Sequence, residues 1–179
     1  DKLNDKIAVI TGGDSGIGRA VAIHFAREGA DLAILYHPRE DEDALKTKSL
    51  VEAEGRRCLL IAGDLKEVDF IKEAAEKIIA TYDRVNILVN NAANHVEQKE
   101  FGGISDQQMR ETFELNILAM FRLTKRLLPH MNANDCIINT TSVVSYRGSK
   151  ALIDYASTKG AVTAFTRSLS QNLVERNIR

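Results

Sequence analysis

Five short apolar runs recur along the chain, and each is followed by a longer stretch in which apolar positions return at helical spacing. The runs cover residues 7–11, 32–36, 58–62, 87–90 and 136–140. Most are apolar at nearly every position rather than alternating, which predicts strands covered on both faces. The periodic stretches predict helices over 16–28, 41–54, 67–82 and 106–130, and a last one from 154 to 176. Alternation of this kind yields a parallel sheet with helices on both sides, a three-layer α/β fold of the doubly wound type. Pro38 and Pro129 fall at element ends, where a missing N–H does least damage. Without a linker, repeat or low-complexity tract, residues 1–179 read as a single domain. The acidic run Glu40-Asp41-Glu42-Asp43 reads as a solvated helix start that suits the helix dipole, with no functional weight.

Composition narrows the function classes. Lys and Arg (24) nearly balance Asp and Glu (25), so no net field points to nucleic acid or to a membrane surface. No apolar stretch reaches the roughly 20 residues that span a bilayer, and the first residues lack a signal-peptide core, so a soluble, cytoplasmic protein is expected. Cys58 and Cys136 lie within strand-like runs and read as buried thiols. His24, His37, His95 and His130 show neither metal spacing nor a nucleophile partner, so no metal site and no histidine catalysis are expected.

The first strand runs into Thr11-Gly12-Gly13-Asp14-Ser15-Gly16-Ile17-Gly18 and then into an amphipathic helix. A glycine-rich turn in that setting can hold a pyrophosphate on helix N-terminal amides. Gly12 permits the tight turn, Gly16 the approach of phosphate to backbone, and Gly18 close packing of helix on strand. The alternative is an ordinary flexible connection. Strand two ends at Tyr36, where such folds often carry a carboxylate for the ribose 2′-hydroxyl. None is present. Tyr36, His37 and Arg39 instead offer groups compatible with a 2′-phosphate, which favours NADP(H) over NAD(H), unless Arg39 simply faces solvent. Strand three ends in Asp64 and Leu65, and strand four in Asn90, Asn91, Ala92 and Ala93, at the sheet end that faces a ligand crevice. Asp64 suits an adenine amine, or a helix N-cap in a capping box with Glu67. Asn90 suits a tie between strands. Asn116 is a poor helix former in the middle of a helix, which marks it as a candidate site residue.

Tyr155 and Lys159, four apart, share a helix face, so an ammonium can sit beside a phenol. A cation favours phenolate and brings a group of ordinary pKa about 10 toward useful acid/base range. Ser142, thirteen residues earlier, supplies a hydroxyl for a polarised carbonyl or nascent alkoxide.

In order and spacing, the Thr11 to Gly18 turn, Asp64, Asn90-Asn91-Ala92, Asn116, Ser142, Tyr155 and Lys159 resemble the short-chain dehydrogenase/reductase family. The resemblance spans essentially the whole chain. The Thr-Gly-Gly-Asp-Ser-Gly-Ile-Gly turn and Asn-Asn-Ala-Ala are similar to its glucose/ribitol dehydrogenase-like, stress-associated members; Ala93 replaces the glycine of most others. It implies a Rossmann fold and an alcohol/carbonyl oxidoreductase acting on a small molecule with NADP or NAD. Tyr155 would be the acid/base, Ser142 would orient the carbonyl, Lys159 would bind the nicotinamide ribose, and Asn116 would hold a water in the proton relay. The dinucleotide would lie against Gly12, Asp14, Ser15, Gly16, Ile17 and Gly18, against Tyr36, His37 and Arg39, against Asp64 and Leu65, and against Asn91, Ala92, Ala93, Tyr155 and Lys159. It also implies further strands and a substrate lid beyond Arg179, and a homodimer or homotetramer. Small residues Ala156, Gly160, Ala161 and Ala164 on the last helix would let another helix approach closely. A 3-oxoacyl carrier-protein reductase and a silent dinucleotide-binding protein are the alternatives.

Overall fold

The computed structural model describes residues 2–179. The apolar runs become five strands: β1 (Ile7–Thr11), β2 (Asp31–Tyr36), β3 (Cys58–Ala62), β4 (Ile87–Asn90) and β5 (Cys136–Asn139). They form one wholly parallel sheet in the order β3-β2-β1-β4-β5. Chain direction across the sheet reverses between β1 and β4, so the crevice at the carboxyl ends of these two strands is the place where such sheets bind ligands.

Helices cover both faces: α1 (Gly16–Arg27), α2 (Asp41–Ala53), α3 (Val68–Tyr82), α4 (Asp106–Phe113), α5 (Ala119–Leu127), α6 (Val144–Arg147) and α7 (Ile153–Asn172). The strand pleat divides the core in two. Ala8, Ile10, Leu32 and Ile34 point to one side with Ala22, Ala26 and Val51 of α1 and α2. Val9, Leu35 and Leu88 point to the other, with Ile71 and Ile78 of α3 and Leu123 and Leu127 of α5. Both sets are almost fully buried, which explains why these strands are apolar at nearly every position. β5 is only partly covered: Ile138 is 44% exposed, while the Ile137 N–H donates to the Arg179 carbonyl at 2.7 Å.

Three elements depart from expectation. The helix expected over 106–130 is interrupted by a π-helical segment, Glu114–Leu118, and closes in a 3-10 turn, Leu128–His130. The last helix ends at Asn172, with a 3-10 turn (Val174–Arg176) beyond. Asp64 is not the N-cap of α3. The helix begins later, with Glu67 in that position, and the Asp64 carboxylate instead accepts the Lys66 N–H at 2.9 Å, closing a tight turn before the helix.

Candidate active site

The turn between β1 and α1 is fastened to the end of β4. Thr11 Oγ1 accepts the N–H groups of Asn91 and Ala92, both at 3.0 Å, and Asn91 Nδ2 donates to the Thr11 and Gly12 carbonyls, both at 3.2 Å. Gly12 has φ +64°, and a Cβ there would stand 3.2 Å from the Ala92 Cα. At Gly18 an added Cβ would fall 1.9 Å from the Gly12 carbonyl oxygen, so α1 can lie this close to the turn only without a side chain. Gly16 has φ +52° and open space around its missing Cβ. The first turn of α1 has no side-chain cap, because the Ser15 hydroxyl donates to the Asp14 carboxylate at 2.8 Å. Uncapped helix amides beside a bare Cα suit the oxygens of a pyrophosphate.

Arg19 secures this turn from behind, an anchor that sequence reasoning missed. Its guanidinium donates to the Asp14 carbonyl at 2.9 Å, to Thr47 Oγ1 at 2.8 Å and to Asp43 Oδ1 at 2.5 Å. Asp41 is engaged as well, accepting the Tyr36 hydroxyl at 2.5 Å. Burial first, then the Asp41 carboxylate, push the Tyr36 phenol up to about 12. The acidic run is therefore more than a solvated helix start: from α2, Asp41 holds the Tyr36 hydroxyl and Asp43 the Arg19 guanidinium. Nothing in the local sequence marks Arg19, since its partners on α2 lie more than twenty residues away.

A cleft of about 690 Å³ at the carboxyl ends of β1 to β4 gathers Gly12, Asp14, Ser15, Gly16 and Ile17, Tyr36, His37 and Arg39, Asp64 and Leu65, and Asn91, Ala92 and Ala93. Of the expected dinucleotide contacts before Tyr155, only Gly18 lies behind the cleft rather than in its wall. Arg39 and His37 are exposed on its rim.

On the far side of β4 the site is built from buried polar side chains. Asn90 Nδ2 ties β4 to β5 through Asn139 Oδ1 at 2.8 Å and reaches Thr124 Oγ1 of α5 at 3.2 Å. Asn116 sits in the π-helical segment, 3% exposed. Its Oδ1 accepts the Asn94 N–H at 2.8 Å, while Nδ2 donates to the Asn94 carbonyl at 2.8 Å and to Thr158 Oγ1 on α7 at 3.2 Å. The amide therefore clamps the segment after β4 to the helix that carries Tyr155.

Lys159 is 3% exposed, its ammonium donating to the Thr140 carbonyl at 2.7 Å and lying 5.6 Å from the centre of the Tyr155 ring. Burial holds its pKa below the ordinary lysine range. Lys159, Asn116, Asn90 and Thr11 border a cavity of about 10 Å³, the size of one water. Ser142 follows β5 in the loop leading to α6, which packs against α7. Asp154, immediately before Tyr155 and 5% exposed, accepts from Gln108 and Thr112 of α4, each at 3.0 Å. His95, given no role by spacing, lies against Tyr155 with ring centres 5.4 Å apart. Cys58 is inert, its thiol pushed up to about 12 by burial. Among the described residues no helix is long and apolar enough to cross a membrane, and no group of His, Cys, Asp and Glu is placed to hold a metal.

Residues 6–179 match the short chain dehydrogenase family. General stress protein 39 of Bacillus subtilis is 49% identical, with 100% of this chain aligned to 62% of its own length. Glucose and ribitol dehydrogenase of Daucus carota is 39% identical, over 100% of this chain and 63% of its own. The chain thus spans somewhat less than two thirds of the curated relatives it matches. A short chain dehydrogenase of Burkholderia cenocepacia, solved in complex with NADP, superposes with a TM-score of 0.94 at 29% identity, over 99% of this chain and 72% of that one. Sequence and shape agree along almost the whole chain, which belongs to the short-chain dehydrogenase family and stands with its glucose/ribitol dehydrogenase-like members.

Proposed function

We propose that the protein is an NAD(P)-dependent oxidoreductase that interconverts an alcohol and a carbonyl compound, with Tyr155 as its acid/base. The observation that carries this reading is the buried Lys159 ammonium, held on the Thr140 carbonyl beside the Tyr155 ring. A bound dinucleotide supplies or accepts the hydride. The Tyr155 hydroxyl gives its proton to the carbonyl oxygen during reduction and takes it back during oxidation. Ser142 Oγ orients that oxygen. Lys159 contributes the local positive charge and binds the nicotinamide ribose. Asn116 keeps the floor of the site in place and holds the relay water beside Lys159. The uncapped start of α1 and the bare Gly16 suit the pyrophosphate, and Asp64 with Leu65 suits the adenine. The exposed Arg39 guanidinium on the rim favours a 2′-phosphate and hence NADP(H).

The test is made on the full-length reading frame, following NADPH and NADH absorbance against aldehydes, ketones, sugars and polyols. Tyr155→Phe is expected to lower kcat/KM by about 10²- to 10⁴-fold while dinucleotide affinity holds. Turnover that survives the change overturns the reading, and so does absence of dinucleotide binding by the wild type.

The same reading includes pairing of subunits through α5 and α7. Leu118, just before α5, and Phe121 are 41% and 48% exposed, Phe121 packs at a tilt against Phe165, and nothing lies within 4 Å of a Cβ added at Gly160. Light scattering behind size exclusion should return a dimer or tetramer; a monomer removes this part.

A further inference from the structure

We propose that His95 contacts the substrate and selects for a carbonyl compound bearing a hydrogen-bonding group next to the carbonyl. The inference rests on the role of Tyr155 proposed above.

The segment Asn94 to Glu97 is exposed and has no regular secondary structure, yet it is fixed at both ends. At its start, the Asn94 N–H and carbonyl are both taken by the Asn116 amide, each at 2.8 Å, and the Asn94 side chain accepts the His95 N–H at 2.7 Å. At its end, the Gln98 N–H donates to the Ala151 carbonyl at 2.9 Å, and Gln98 Nε2 donates to Gln108 Oε1 at 2.9 Å. Gln108 in turn donates to the Val96 carbonyl at 3.3 Å and to the Asp154 carboxylate at 3.0 Å. Both anchors lead to α7: Asn116 reaches Thr158, and Asp154 adjoins Tyr155. A solvent-facing segment so tied to the helix carrying the acid/base has the backbone of its one aromatic residue held in place.

That residue is His95, its imidazole 5.4 Å between centres from the Tyr155 ring and tilted 60° to it. Among the described residues no group takes up its ring nitrogens in a hydrogen bond. The neighbouring cation, Lys159, is committed to Thr140 and buried. His95 thus lies against the phenol proposed as acid/base with both ring nitrogens unpaired. A substrate whose carbonyl oxygen meets Tyr155 brings its adjacent substituent beside the imidazole. A site that offers a hydrogen bond at that point discriminates against an analogue lacking the matching group. The class of substrate is therefore an α-hydroxy carbonyl compound rather than a plain alkyl one.

Glyceraldehyde and propanal differ in this respect and can be compared directly in the full-length protein. The wild type is expected to prefer glyceraldehyde. His95→Phe, which keeps an aromatic ring against Tyr155, and His95→Ala, which does not, should each lower the glyceraldehyde-to-propanal ratio of kcat/KM by about tenfold, equivalent to about 1.4 kcal/mol. The loss should fall mainly on the KM for glyceraldehyde, with dinucleotide affinity and Tm unchanged; His95→Gln should recover part of the preference. A ratio unchanged in the Phe and Ala variants overturns the proposal, as does a wild type without the preference. Failure of the dehydrogenase reading is separate, appearing as turnover that persists in Tyr155→Phe or as no dinucleotide binding.

Discussion

The two halves of the site are made in opposite ways. At the β1–α1 turn, the shape depends on side chains that are absent: Gly18 lets α1 touch the Gly12 carbonyl, and Gly16 leaves backbone bare to the cleft. Around α7 it depends on side chains that are present and buried, with Asn116, Asp154 and Lys159 each at most 5% exposed and each hydrogen-bonded across element boundaries. The first half fails when an atom is added, the second when one is removed. A second difference follows. In the roles proposed for them, the glycine turn serves fold and ligand together, whereas the buried lysine serves the chemistry against the interest of the fold, since burying an ammonium costs more than one hydrogen bond returns.

The largest effect should come from Gly18→Ala. The new methyl would stand 1.9 Å from the Gly12 carbonyl oxygen and 2.9 Å from Asn91 Nδ2, and the first of these is backbone that cannot swing away. Relief requires α1 to lift from the turn, dragging the Asn91 bonds to Thr11 and Gly12. Overpacking of this kind costs about 3 kcal/mol, which corresponds to a fall in Tm of about 10 °C for a chain of this size. Dinucleotide affinity should drop with it, measured by fluorescence titration beside thermal denaturation. A variant with wild-type Tm and affinity would show that the turn tolerates a side chain, and the contrast between the two halves would be lost.

The halves also differed in how far they could be read from sequence. Strands β1, β3 and β4 match their expected bounds residue for residue, because each apolar run is flanked on both sides by a polar residue or glycine. The glycine turn was legible for a similar reason: what it needs is local, a strand, a bare backbone and a helix start. In the α7 half only the candidate residues themselves could be picked out. Asn116 stood out as a poor helix former, yet the π-helical segment and the clamp on Asn94 depend on a partner twenty-two residues away. Asp154 gives no sign that Gln108 and Thr112 will cover it, and His95 belongs to no spacing pattern at all. The Asp64 and Glu67 pair had the spacing of a capping box, but the start of α3 at Val68 left the carboxylate to a turn.

Lys159→Met separates chemistry from stability and so sharpens the contrast. Methionine fills similar volume without a charge, and the substitution should remove turnover. The fold should gain. An ammonium that is 3% exposed with a single hydrogen bond, to Thr140, carries a desolvation cost of several kcal/mol, against about 1.5–3 kcal/mol for that bond. Near neutral pH the variant is expected to melt about 2–4 °C above wild type, the equivalent of about 1 kcal/mol. The dependence on pH has a definite sign. Burial holds the folded-state pKa of Lys159 below its unfolded value, so between the two the unfolded chain binds more protons than the folded one. Wild-type stability contributed by this group therefore rises as pH climbs from the lowered pKa toward about 10.4, a window in which the folded lysine has shed its charge and the unfolded one still holds it. The gap between variant and wild type should shrink over that window and stay constant below it, which urea denaturation at stepped pH would measure. If Lys159→Met melts below wild type at neutral pH, or the gap widens with alkali, the ammonium stabilises the fold as well as the reaction. The α7 half would then resemble the glycine turn in serving both at once.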